Sequence, residues 1–240
     1  MTKNNLIIIV ILLVTLCIAI LAIVMNVKSA EKVENKQNVK TTSKSETENE
    51  IINETIIVGE NNNERKDKEE NNMYSSGIHH ATIEIKDYGT IKIELDADTA
   101  PITVSNFAKL VNEGFYNGLT FHRIIDGFMI QGGDPLGNGT GGSEENIKGE
   151  FKINGVENNI SHKRGVISMA RATSYNSASS QFFIVHEDST FLDGQYAGFG
   201  KVTEGIEIVD KICEDTKVED NNGTVLKSNQ PIIEKIKMDD

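Results

Sequence analysis

The 240-residue chain has no tryptophan, three prolines and two cysteines. Two cysteines cannot staple a disulfide-built scaffold. So few prolines exclude a proline-rich stalk, and the missing tryptophan excludes repeat arrays built on that residue. Positive charge is short as well: 24 Lys and Arg stand against 36 Asp and Glu, a formal net charge of -12. A phosphate backbone requires a basic face, so nucleic acid is excluded as a partner. No Gly-x-Ser-x-Gly elbow marks a hydrolase nucleophile. Gly137-Asn138-Gly139-Thr140-Gly141-Gly142 lacks the lysine of a phosphate-cradling loop and reads as a turn-rich surface loop. Among the five histidines only His79-His80 are adjacent, and neighbours in a strand point to opposite faces, which makes them poor joint metal ligands. Nothing in these residues calls for a cofactor or a metal.

What is present falls into three stretches. Leu6 to Met25 is twenty residues without a charge, about 30 Å of helix at 1.5 Å per residue, the thickness of a bilayer core. Residues 1–27 are therefore expected to be a single-pass membrane anchor that contacts the lipid bilayer through residues 6–25. The alternatives are a cleaved signal or a lipoprotein attached through Cys17. Against them, Val27-Lys28-Ser29-Ala30 is a poor cleavage site, and Leu16 is too large for the position before a lipidated cysteine. Lys28, Lys32, Lys36 and Lys40 follow the span, which by the positive-inside rule alone leans toward a cytoplasmic C-terminus. A short positive tail ahead of a long apolar run is, however, how most export signals begin. The bulk of the chain is expected outside the cell membrane.

Between Lys28 and Asn72 come eleven acidic, eight basic and nine asparagine residues, with no aromatic and no proline. Such a segment cannot bury enough surface to offset the entropy of ordering. Residues 28–77 are expected to be a disordered, charged tether, and no disulfide is expected between Cys17 and Cys213.

Residues 78–240 have the texture of a folded domain with a net charge of -10. Thr82 to Lys86 and Thr90 to Leu95 alternate apolar and polar about Asp87-Tyr88-Gly89, which predicts a β-hairpin. Ala100-Pro101 opens a helix carrying Val104, Phe107, Ala108 and Val111 on one face and stopping near Gly114. A second helix is predicted from Gly205 to Glu214, with Ile208, Val209 and Ile212 on one face. Short apolar runs at Val166–Met169, Phe182–Val185 and Ile232–Met238 complete a mainly β pattern. Many short strands with glycine-rich connections predict an antiparallel sheet closed into a barrel.

The chemistry concentrates in Phe121 to Asp134. In a strand Arg123, Ile125 and Gly127 share a face, and beyond the turn Met129 and Gln131 rejoin it. Arginine, methionine and glutamine together make a poor core and a good groove, and Gly132-Gly133 lets another backbone approach closely. This stretch resembles the cyclophilin family of peptidyl-prolyl cis-trans isomerases. Gly165 to Arg171, Ser180 to Ile184, and Phe191 to Gly194 with Phe199 to Val202 match further family signatures in order and spacing, and the resemblance covers essentially all of residues 80–240.

The resemblance implies a closed eight-stranded antiparallel β-barrel capped by two α-helices, and a monomeric, cofactor-independent enzyme acting on proline-containing polypeptides. It implies Arg123, Phe128 and Gln131 as catalytic residues. His122, Met129, Ala170, Arg171, Gln181, Phe183, Phe191, Leu192 and Tyr196 are implied to bind substrate. The chain departs from many eukaryotic members at Phe191, where they carry tryptophan, at Tyr196, where they carry histidine, and at Arg171, where they carry asparagine. The first departure implies weak binding of cyclosporin. The asparagine- and lysine-rich composition looks bacterial. A foldase for secreted or surface proteins is the expected role, with a non-catalytic module that docks a proline-containing loop as the alternative.

Overall fold

The computed structural model describes residues 73–240, so the expected anchor and nearly all of the expected tether lie outside the described residues. Among the described residues no helix is long and apolar enough to cross a membrane. Strands β1 (Ile78–Ile85) and β2 (Gly89–Asp96) form the predicted hairpin, with Ile83 opposite Ile91 and Ala81 opposite Ile93. The alternation of the sequence places these four residues in the core. At the turn Asp87 takes a φ of 65° and Gly89 a φ of 124°, a reversal that suits an aspartate and a glycine.

Helix α1 (Pro101–Asn112) begins with proline in its first turn, where a missing N–H costs nothing. Its first free N–H groups are met from elsewhere in the chain. Glu150, 1% exposed, accepts from the N–H of Ile102 at 3.0 Å, the N–H of Thr103 at 2.8 Å and the Thr103 hydroxyl at 2.7 Å. A carboxylate at a helix N-terminus satisfies orphan donors and complements the helix dipole. The buried face of the helix drives Phe107 into an aromatic cluster, 5.2 Å from Tyr116, 5.6 Å from Phe182 and 5.4 Å from Phe199, ring centre to ring centre.

Strands β3 (Phe121–Ile125), β4 (Met129–Gly132), β5 (Val166–Met169), β6 (Phe182–Val185), β7 (Gly198–Glu204) and β8 (Ile233–Met238) complete the sheet, with α2 (Ile206–Asp215) between the last two. Gly205 caps α2 with a φ of 86°, and Val209, Ile212 and Cys213 are buried. All neighbours pair antiparallel in the order β3-β4-β6-β5-β7-β2-β1-β8.

The expected closed barrel is not what forms: the eight strands make a half-barrel whose two edge strands, β3 and β8, share no ladder. Their contact is confined to their first residues, where a bridge joins Thr120 to Ile232 and backbone hydrogen bonds join Phe121 to Pro231 and Leu119 to Ile233. The physical reason lies in the segment before β8. Ile124 donates to the Gly223 carbonyl at 2.8 Å and Val225 donates to the His122 carbonyl at 3.1 Å. This segment occupies the hydrogen-bonding edge of β3 that β8 would need, and only glycine at 223 leaves room for the approach, because a Cβ there would strike the Ile124 carbonyl.

Candidate functional site

The β3–β4 pairing contains a bulge. Phe121 stands opposite Gly132 and Arg123 opposite Gln131, so that His122 is the extra residue. A bulge re-aims the side chains that flank it. Phe121 is buried in the main core while Arg123, two residues on, faces the outer surface half-buried. Two glycines let the strands close up behind it: a Cβ on Gly132 would lie 2.8 Å from the Thr120 carbonyl, and one on Gly133, whose φ is +80°, 2.6 Å from the Ser180 carbonyl.

Register then assembles a row across four strands, Arg123 opposite Gln131, Gln131 opposite Phe183, and Phe183 opposite Ser168. One rung along, Ile125 faces Met129 and Met129 faces Val185. Met129, Phe183, Val185, Leu192 and Val166 form an apolar cluster of their own, separate from the main core, with Phe128 and Tyr196 packed on it. Above this cluster opens a cavity of about 310 Å³. Ten of the twelve residues expected in the site line it: Arg123, Phe128, Met129, Gln131, Ala170, Arg171, Phe183, Phe191, Leu192 and Tyr196. The Phe128 and Phe191 rings meet at 5.5 Å at one wall, with Phe191 65% exposed. Tyr196 meets Phe183 edge-on at 6.1 Å.

The Arg123 guanidinium is held on several sides. Its Nε donates to the Asn222 carbonyl at 2.8 Å, Nη2 to Asn222 Oδ1 at 3.2 Å, and Nη1 to Gln131 Oε1 at 3.2 Å. Burial pulls its pKa below the ordinary value, while Tyr196 and Asp220 pull the other way, and an arginine remains a cation throughout the working pH range. Because arginine only donates, the amide of Gln131 must present its oxygen to it. Gln131 Nε2 therefore donates to Gln181 Oε1 at 2.8 Å, and Gln181 Nε2 to the Gly141 carbonyl at 2.7 Å.

Gln181 does not reach the first cavity. It lines an adjoining one of about 420 Å³ that shares Gln131, Ala170 and Arg171 with the first. The Ala170 N–H donates to the Gln181 carbonyl at 2.9 Å. Arg171 stands between the two cavities and lines both. Its guanidinium lies over the rings of Phe151, Tyr175 and Tyr196 at 5.2, 5.2 and 4.6 Å, and Nε and Nη1 are engaged by the carbonyls of Gln195 and Ala172.

His122 lines neither cavity. It is 4% exposed, and neither ring nitrogen has a hydrogen-bond partner among the described residues. Burial lowers its pKa, Asp134 opposes this and Arg123 adds to it. Asp134 organises the loop over it: although burial pushes its carboxyl up, the backbone N–H groups of Leu136, Asn138, Gly139 and Gly141 together hold it below the ordinary value.

Three supporting residues were not named as site residues from the sequence. Asn222 lies 99 positions from the arginine it holds, and no local pattern links them. His162 stacks beneath Phe183 at 6.1 Å with its ring nitrogens on Ser168 Oγ at 3.0 Å and Asp193 Oδ1 at 2.9 Å. Asp193 also accepts from the Ser161 hydroxyl at 2.7 Å, so it ties the floor under Phe183 to the turn that carries Phe191 and Leu192. The one available signal was its place directly after those two hydrophobes.

Among the described residues the cavity lining contains no carboxylate, thiol or imidazole. It offers a fixed cation, an amide and an apolar pocket, which suits a reaction in which charge shifts within a bound amide. This geometry meets the comparisons with known proteins. The sequence profile of the family described as "Cyclophilin type peptidyl-prolyl cis-trans isomerase/CLD" matches residues 80–238. Peptidyl-prolyl cis-trans isomerase B of Bacillus subtilis is 46% identical over 143 residues, covering 60% of this chain and 91% of the relative. A peptidyl-prolyl cis-trans isomerase of Helicobacter pylori is 48% identical over 133 residues, covering 55% and 78%. Among solved structures, a Cryptosporidium parvum cyclophilin crystallised in the presence of the dipeptide Ala-Pro superposes with a TM-score of 0.59 at 32% identity, covering 67% of this chain and 99% of that one. The chain belongs to the cyclophilin family. Its activity is peptidyl-prolyl cis-trans isomerisation.

The buried, unpartnered imidazole of His122 makes a prediction about stability. A histidine whose pKa is lowered on folding is protonated more readily in the unfolded chain, so stability present above about pH 6.5 is lost as pH falls toward the lowered value. Urea unfolding of the chain at pH 7.5 and 5.5 should show lower stability at 5.5. His122→Leu should reduce that difference without abolishing it, because burial lowers the pKa of His162 too. An unchanged difference in the variant would remove His122 as a source.

Proposed function

We propose that this isomerase works outside the membrane on secreted or surface polypeptides, tethered by residues 6–25, with Arg123 as its principal catalytic group. The observation that carries the catalytic reading is the Arg123 guanidinium, fixed by Asn222 and Gln131 at the rim of an apolar cavity. Rotation about a peptide bond faces a barrier of about 18–20 kcal/mol because of resonance. For an Xaa-Pro bond both isomers are populated but exchange over tens to hundreds of seconds. As the bond twists, the proline nitrogen pyramidalises and regains its lone pair. A donor already aimed at that lone pair stabilises the twisted state and leaves the planar one untouched, which lowers the barrier.

Phe128, Met129, Phe183 and Leu192 are the surface for the proline ring, and Gln131 the hydrogen-bonding group for the neighbouring substrate backbone. The Ala-Pro dipeptide used with the Cryptosporidium relative fits the same assignment of the cavity to an Xaa-Pro unit. Phe191 in the position of the common tryptophan supports weak cyclosporin binding. The extracytoplasmic placement rests on the charge-free span and its positive N-terminal flank.

Two experiments test this reading. The full-length chain should accelerate the cis-to-trans relaxation of a short Xaa-Pro peptide, and Arg123→Ala should lower kcat/KM by about 100-fold or more, some 2.7 kcal/mol of transition-state stabilisation, at an unchanged melting temperature. A variant as fast as the parent would move the main role away from Arg123. Protease added to intact cells should cut residues 78–240, whereas their survival while a known surface protein is cleaved would put the domain on the cytoplasmic side.

A further inference from the structure

The turn that leads from β3 into β4 carries a cluster the isomerase reaction does not use. A carboxylate oxygen of Asp126, a ring nitrogen of His186 and the sulfur of Cys213 lie within 4.8 Å of one another. They come from three elements: the β3–β4 turn, the residue after β6, and the buried face of α2. The His186 ring is fixed in one tautomer. Its Nδ1 accepts from the Gly127 N–H at 3.0 Å, so that nitrogen carries no proton, and Asp126 Oδ1 lies 3.4 Å from it. Its Nε2 therefore bears the hydrogen and donates to Asp210 Oδ1 at 2.9 Å. Asp210 is itself paired with Arg164 at 2.7 Å.

We infer that Asp126, His186 and Cys213 form a binding site for a divalent cation of the zinc class, with Asp210 orienting the histidine from behind. A thiolate, an imidazole and a carboxylate are the donor types that zinc and its borderline-soft neighbours take, while magnesium and calcium seek oxygen alone. A ligating histidine almost always gives its other N–H to a carboxylate, which fixes the ring and raises its basicity, and the Arg164–Asp210–His186 chain supplies that arrangement. Three protein donors leave a fourth position for water. A reactive, redox-active thiol is the weaker reading of the same cysteine. Burial, followed by Asp126 and Asp210, pushes the Cys213 thiol up to about 12, so without a cation it stays protonated and unreactive. On binding, the cation replaces the thiol proton, which leaves to solvent, and takes the Nδ1 lone pair from the Gly127 N–H.

The placement gives the site a bearing on the groove. The backbone N–H of His186 donates to the Phe128 carbonyl at 2.9 Å, so an occupied site would tie the turn that carries Phe128 to α2.

Cobalt(II) is the probe of choice, because thiolate ligation gives an intense near-ultraviolet charge-transfer band. The full-length chain carrying Cys17→Ser, which leaves Cys213 as the sole thiol, should be stripped with chelator and titrated with Co²⁺. The expected result is the thiolate band, saturable and displaced by stoichiometric Zn²⁺, and its loss on adding Cys213→Ser. Asp126→Asn, at an exposed side chain, should keep the band and weaken Co²⁺ affinity by about tenfold or more, no less than the loss of an outer-shell partner costs. Isomerase activity serves as the check on folding in each case. An isomerase-active parent without the band, or an Asp126→Asn variant with undiminished affinity, would overturn the assignment. The Asp126→Asn arm decides the question even where Cys213→Ser fails to fold.

Discussion

A guanidinium can act on a twisting amide only if it is held still and partly stripped of water, and its neighbours must accept hydrogen bonds without neutralising it. Around Arg123 the acceptors are a backbone carbonyl, two side-chain amides and the Met129 sulfur, with no carboxylate hydrogen-bonded to it among the described residues. An ion pair would hold the arginine more strongly and spend its charge. Neutral acceptors fix its orientation and leave its charge uncompensated. The consequence runs outward in one direction, because a donor-only group dictates the amide orientation of Gln131, which dictates that of Gln181, which ends on the Gly141 carbonyl. The loop bearing that carbonyl is pinned in turn by the buried carboxylate of Asp134. The setting of Arg123 and the loop structure are thus one hydrogen-bonded chain, and such networks are worth more intact than their separate bonds suggest.

The fold supplies this arrangement through a local irregularity in a regular sheet. Without the extra residue at His122, Phe121 and Arg123 would share a face, and one of them would be misplaced in either the core or the groove. The bulge separates them, at the cost of a buried imidazole without partners. The same edge irregularity explains why the sheet stops short of closing. The segment that delivers Asn222 to Arg123 also delivers Gly223 and Val225 to the edge of β3, so support for Arg123 and a ladder between β3 and β8 compete for the same backbone groups.

Much of this was legible in the sequence, wherever the signal was local and periodic. The hairpin about Asp87-Tyr88-Gly89 and the helices opening at Pro101 and after Gly205 follow from alternation, helical spacing and glycine or proline punctuation. The face shared by Arg123, Ile125, Met129 and Gln131 follows from period two through a tight turn, and the register pairs them accordingly. What escaped was set by contacts between distant parts of the chain. Asn222 sits in an ordinary Asp-Asn-Asn-Gly turn whose partner is 99 residues away. The engagement of Arg171 by three rings depends on Phe151, Tyr175 and Tyr196 converging from separate loops. The burial of His122 depends on a bulge that no residue pattern marks. Closure of the barrel failed as an expectation because strand count fixes how many strands are present, while the edge of β3 is decided by a loop.

The central claim is that geometry, together with charge, makes Arg123 catalytic. Arg123→Lys tests it most directly, because lysine keeps the positive charge but has no planar fork to engage Asn222 and Gln131 while still facing the cavity. The account predicts that kcat/KM for a short Xaa-Pro peptide falls by about tenfold or more, at least 1.4 kcal/mol, with the melting temperature unchanged. A lysine variant as active as the parent would contradict it, and would mean that a cation anywhere near the proline nitrogen suffices.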